Sequence, residues 1–205
     1  MIELHEALAD LAAIRRQIAQ VEQFRGYHTL PAAIGALLAG AAGALQPWIV
    51  PEPTQDLLRY VALWVAVAIV AGSVSVFDVW QRHRNCDTLR GTLARLACEQ
   101  FAPCVIAGAA LTWTIVRFVP HVGWMLPGLW AILFSLGLFA SCRLLPRAII
   151  VVAGWYLLAG CFYLALGSSH TGLEPWRMPV IFGIGQAGAA VVLARQATGE
   201  RARAS

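Results

Sequence analysis

Polar residues along this chain are gathered into short segments, and between them apolar residues run on for close to twenty positions at a time. A hydrocarbon layer of about 30 Å takes roughly 20 helical residues to cross. The pattern predicts spans at 29–50, 57–79, 98–119, 122–142, 147–167 and 177–194, the last being the shortest. The segments "VPEPTQD", "VPHVG" and "GSSHTGLEP" carry the proline or glycine that stops a helix. The expected fold is therefore all-α: a polytopic membrane protein with six transmembrane helices in three hairpins. A likeness between "ALWVAVAIV" and "GLWAILFSL" hints that the hairpin is a repeated unit.

Ahead of the first span the period changes. In "IELHEALADLAAIRRQIAQVEQF", Leu4, Leu8, Leu11, Ile14, Ile18 and Val21 recur every three or four residues, which predicts an amphipathic helix over 2–24. A helix lying on anionic lipid has a basic polar face, whereas here Glu3, Glu6, Asp10 and Glu22 outnumber Arg15, Arg16 and Arg25. Docking on protein is favoured, with those six apolar residues as the contact: the bundle's own inner loops, a second copy or a soluble partner. The expected organisation is a cytosolic amphipathic helix over 1–28, a transmembrane domain over 29–194 with a cytosolic loop at 80–97, and a disordered cytosolic tail over 195–205. Within the loop, "DTLRGTLARLA" can form a short helix leading into the third span, and its Arg90 and Arg95 offer a basic platform for the acidic leading helix.

Composition agrees with lipid as the solvent: 59% hydrophobic residues, 13% charged and a mean hydropathy of +0.67. All 15 basic residues are arginine, and no basic tract suggests direct nucleic-acid binding. Their placement is one-sided. Only Arg59, Arg117 and Arg177 fall on the far side if the N-terminus is inside, so the expected location is a bacterial inner membrane with both termini cytoplasmic. The acidic start lacks a basic leader and a cleavage pattern, so no signal peptide is expected.

In lipid, helices associate by close backbone approach and by polar contacts rather than by hiding leucine. Ala32, Ala36, Gly40 and Ala44 lie four apart along the first span, and in "FGIGQAGAA" Gly183 precedes Ala187 and Gly185 precedes Ala189 at the same spacing. Both stripes are expected to pack helices, with a lipid or substrate groove as the alternative. Gln186, flanked by glycines near the middle of the sixth span, must find a partner at that depth, either another helix or a substrate.

Other candidates carry less chemistry. Asp78 and Arg82, and Arg95 and Glu99, are spaced for helical ion pairs at the interface, with a proton or cation site on Asp78 and Glu99 as the alternative. His121, His170, Glu52 and Glu174 lack metal-ligand spacing, and His28 has no histidine at matching depth to share a haem. The cysteines 86, 98, 104, 142 and 161 avoid the external loops and have no C-x-x-C spacing. No G-x-S-x-G, Walker or H-E-x-x-H motif is present. No cofactor, metal or catalytic residue is expected, and the chain is not expected to be an enzyme.

"IRRQIAQVEQF" followed by "RGYHTLPAAIGALLAG" resembles the start of a loosely defined group of uncharacterised bacterial multi-pass membrane proteins, in which an I-R-x-x-(M/I)…F helix enters a small-residue first span. Some of these are encoded beside winged-helix regulators. The likeness covers about thirty residues and departs from the group at Tyr27, His28 and Pro31, where serine and glycine are usual. It implies no catalytic residues, and it favours partner binding by the leading helix. The expected function is a non-enzymatic regulatory or scaffolding subunit that binds a cytosolic protein, or a second copy, through that helix; the alternative is a small-molecule or ion transporter or channel, possibly oligomeric.

Overall fold

The computed structural model describes residues 29–83, 88–142, 148–166 and 173–204. The leading segment, including Leu4, Leu8, Leu11, Ile14, Ile18 and Val21, lies outside them. The described chain is helical, with no strand among the described residues. Helix α1 spans Thr29–Ile49, α2 Leu57–His83 and α3 Thr88–Phe118. A 3-10 segment, Pro120–Met125, leads into α4, Leu126–Ala140; α5 spans Ile149–Leu166. A π-helical turn, Pro179–Gly183, then opens α6, Ile184–Ala204.

Five of these helices are long and apolar enough to cross a membrane, over Thr29–Ile49, Leu57–Asp78, Glu99–Phe118, Pro120–Ala140 and Ile149–Leu166. The sixth apolar stretch, Pro179–Arg195, is shorter. These five suggest a membrane location. Helix extends further than expected in two segments, and the short helix expected over "DTLRGTLARLA" is continuous with the third span. In the segment 80–97, α2 runs on to His83 and α3 starts at Thr88; neither extension holds a proline to stop it. Likewise the tail stays helical to Ala204, in a stretch where alanine, arginine, glutamine and glutamate, good helix formers, outnumber Thr198 and Gly199.

Each helix touches the next in the chain, and α1 also lies along α6 and its π turn, so the helices close into a ring rather than three separable pairs. The most extensive contact is α4 with α5. Its cause is two facing glycines. A Cβ placed on Gly160 would come 2.8 Å from the Gly128 carbonyl oxygen, and one on Gly128 would come 3.0 Å from that of Gly160. No larger residue fits at either position without moving a backbone. Ala131, Ser135 and Ala153 continue the buried seam.

One end of the ring collects the described residues that lead directly into α2, α4 and α6. Val50, Leu57, Tyr60, Trp64, Ile115, Leu126, Leu173 and Met178 form a single buried cluster there. A second cluster sits deeper around Ala131, Val152, Tyr156 and Ile181.

Candidate functional site

The amide of Gln46 is the centre of the connecting end. Gln46 sits one turn before the end of α1 and has no exposed surface. Its Nε2 donates to the Leu173 carbonyl at 2.8 Å, and its Oε1 accepts from the Trp64 indole N–H at 3.1 Å. One side chain thereby joins α1 to α2 and to the segment entering α6. That segment can approach so closely because residue 43 is glycine: a Cβ there would lie 2.9 Å from the Pro175 carbonyl oxygen and would meet the Pro179 ring.

Tyr60, one turn before Trp64, is fully buried, and its hydroxyl has no hydrogen-bond partner among the described residues. Tyr163 is better placed, its hydroxyl donating to the Trp124 carbonyl at 3.2 Å. Over the Tyr163 ring lies the Arg177 guanidinium, 5.1 Å from the centroid and 4.9 Å from that of Trp176. Its Nε donates to Glu174 Oε2 at 3.1 Å.

A second polar node lies deeper, where α6 starts. Pro179 has no N–H, and the turn it opens is a π turn, which offsets the backbone ladder. Two consecutive residues of α5 engage the carbonyls there. Trp155 donates its indole N–H to Ile181 at 3.0 Å, and the Tyr156 hydroxyl approaches the Phe182 carbonyl at 3.4 Å. The Gln186 side chain lies near the Tyr156 hydroxyl, and a Cβ on Gly35 would lie 3.4 Å from the same amide. Phe134 meets Tyr156 and Phe182 edge to face around this node, and those two rings are tilted against each other.

The expected packing residues fall on several faces. Ala32 and Ala36 are half-buried, whereas Gly40 and Ala44 are exposed, and a Cβ on Gly40 would meet nothing. The buried line of α1 is Pro31, Gly35, Ala39, Ala42, Gly43 and Gln46. On α6, Gly183 faces the Ala36 carbonyl oxygen and Ala39 at 3.9 Å, and Gly185 is packed against the Tyr156 ring. Gln186 is half-buried, Ala187 is exposed and Ala189 packs against the deeper cluster. The stripes of α1 and α6 thus meet through Gly35, Ala39, Gly183 and Gln186, not through Gly40, Ala44 or Ala187.

His121 and Glu52 are exposed, and among the described residues no three His, Cys, Asp or Glu side chains converge to hold a metal. His28 and His170, and the side chains of Arg82, Arg90 and Arg95, lie outside the description. Spacing did not single out Gln46, Tyr60, Trp64, Gly128, Tyr156 or Gly160. A signal for some of them exists in the tryptophans: Trp64, Trp130 and Trp155 sit too deep for an interfacial belt, and a deep indole N–H needs an acceptor on another helix. Trp130 finds it in Thr112 Oγ1 at 2.8 Å. One indole thus ties α1 to α2, one α3 to α4, and one α5 to the π turn that opens α6.

No protein-family model matches the chain, and neither a curated protein nor a solved structure does.

Proposed function

We propose that the chain is a non-enzymatic regulatory or scaffolding subunit of a bacterial inner membrane. It crosses the bilayer six times in three hairpins, keeps both termini in the cytoplasm and engages a protein partner through the amphipathic segment 2–24. The observation that carries this reading is how the interior polar groups are used. Gln46, Trp64, Trp130, Ser135 and Trp155 each bond a neighbouring helix or the segment entering α6, an arrangement suited to a fixed frame. Acidic and basic residues are absent from 60–77, 100–116, 120–142, 148–173 and 178–194, so charge is kept to the ends, where a soluble partner is met. The one-sided arginines support the orientation, and five apolar helices support the bilayer.

The test is affinity capture from gently solubilised membranes with the full chain, with residues 2–24 deleted, and with Leu11→Asp and Ile18→Asp. A partner retained by the full chain and lost with all three changes is expected. Equal recovery without the segment overturns the reading.

A transport role has one observation in its favour, the π turn beside Gln186 at the junction of α1, α5 and α6. Backbone irregularity at such depth often lines a substrate path. On that reading Gln186→Leu stops vesicle uptake and deletion of 2–24 spares it, the reverse of the outcome proposed above.

A further inference from the structure

The arginine at the start of the sixth apolar stretch is only partly satisfied. Its side chain is 13% exposed, and Nε alone is paired, with Glu174 Oε2 at 3.1 Å. Among the described residues no acceptor meets either Nη group, and neither Nη is fully buried, so their four N–H donors form an accessible edge. The carboxylate of Glu174 is more open, at 39% exposure, and its Oε1 has no hydrogen-bond partner among the described residues.

Depth in the bilayer decides what can reach these groups. Trp48, Trp113 and Trp176 are all exposed toward this end of the ring, and exposed tryptophan marks the headgroup level of a membrane protein. At that level the abundant acceptors are phosphate oxygens of lipid, and planar guanidinium forks bind phosphate well. A phosphate alone would meet repulsion from Glu174. A headgroup that also carries an ammonium would not.

We propose that Glu174, Trp176 and Arg177 form a docking site for a zwitterionic phospholipid headgroup, the phosphate on the free Nη edge of Arg177 and the ammonium toward Glu174. The site rests on the bilayer reading alone and is independent of any partner at the leading helix. Its occupant would hold the segment 173–179 against α1 and α5.

The experiment is native mass spectrometry on the full chain, delipidated in detergent and offered phosphatidylethanolamine and phosphatidylglycerol in competition. One charge-assisted hydrogen bond amounts to about a tenfold effect on binding, and wild-type protein is expected to retain the ethanolamine lipid over the glycerol lipid by about that factor. Arg177→Gln should abolish retention of both. Glu174→Gln should reverse the preference toward phosphatidylglycerol, and Arg59→Gln, in an exposed pair at 3.4 Å from Asp56, should change nothing. Equal retention of the two lipids by wild type overturns the proposal even if Arg177→Gln fails to fold. Protection against thermal unfolding by inorganic phosphate equal to that by the lipid overturns it as well, since the site would then read a free anion.

Discussion

Replacing Gln46 with leucine removes the two hydrogen bonds that join α1, α2 and the Leu173 segment, at 2.8 and 3.1 Å. Interhelical hydrogen bonds in membranes contribute about 0.6 kcal/mol on average and up to roughly 1.7. The larger effect is on what remains: a buried indole N–H and a buried carbonyl without partners, each disfavoured by about 1–3 kcal/mol. The expected loss is about 2–4 kcal/mol of stability. Trp64→Phe alone loses one bond and leaves an amide oxygen unmet. In the double variant the orphaned indole is gone, so its destabilisation should fall short of the sum of the singles by about 1 kcal/mol or more. Unfolding in mixed micelles titrated with SDS, followed by circular dichroism, measures all three. A Gln46→Leu protein within about 0.5 kcal/mol of wild type, or a double variant equal to the sum, would refute the reasoning.

Tyr60→Phe should be neutral or stabilising by up to about 1 kcal/mol in the same titration, because the buried hydroxyl gains no bond for the water it gives up; a clear loss would mean the hydroxyl has a partner. Gly43→Ala should destabilise by about 1–3 kcal/mol by forcing the Pro175–Pro179 segment off α1, whereas Gly40→Ala, facing open space, should be neutral or gain a few tenths through helix propensity. Equal effects at the two glycines would disprove the assignment of the buried face. Gly160→Val should separate α4 from α5 and lower the unfolding temperature, while Gly154→Val, with nothing near its Cβ, should not.

The spans were legible because hydropathy is a length signal, and the five long ones fall within a few residues of the ends read from the sequence. The inward face of α1 was not. Small residues stand every fourth position on two adjacent lines, 31/35/39/43 and 32/36/40/44, and spacing cannot choose between them. Gln46 could have chosen. An amide near the end of an apolar helix must turn inward, and it shares its face with Gly35, Ala39 and Ala42. The likeness between the second and fourth spans has a counterpart in the structure: Trp64 bonds a residue 18 positions earlier, and so does Trp130. No such local cue identified Gly128 and Gly160, whose role comes from facing each other across two helices.

Orientation is the claim on which the proposed role most depends, and compartment labelling measures it. In a cysteine-free background, Thr54→Cys, His121→Cys and Gly172→Cys should react with an impermeant maleimide applied to intact cells, and Arg203→Cys should react only after lysis. Reaction of Gly172→Cys and Arg203→Cys from the same side would contradict an even number of crossings with arginine held inside, and the role assigned to the leading helix with it.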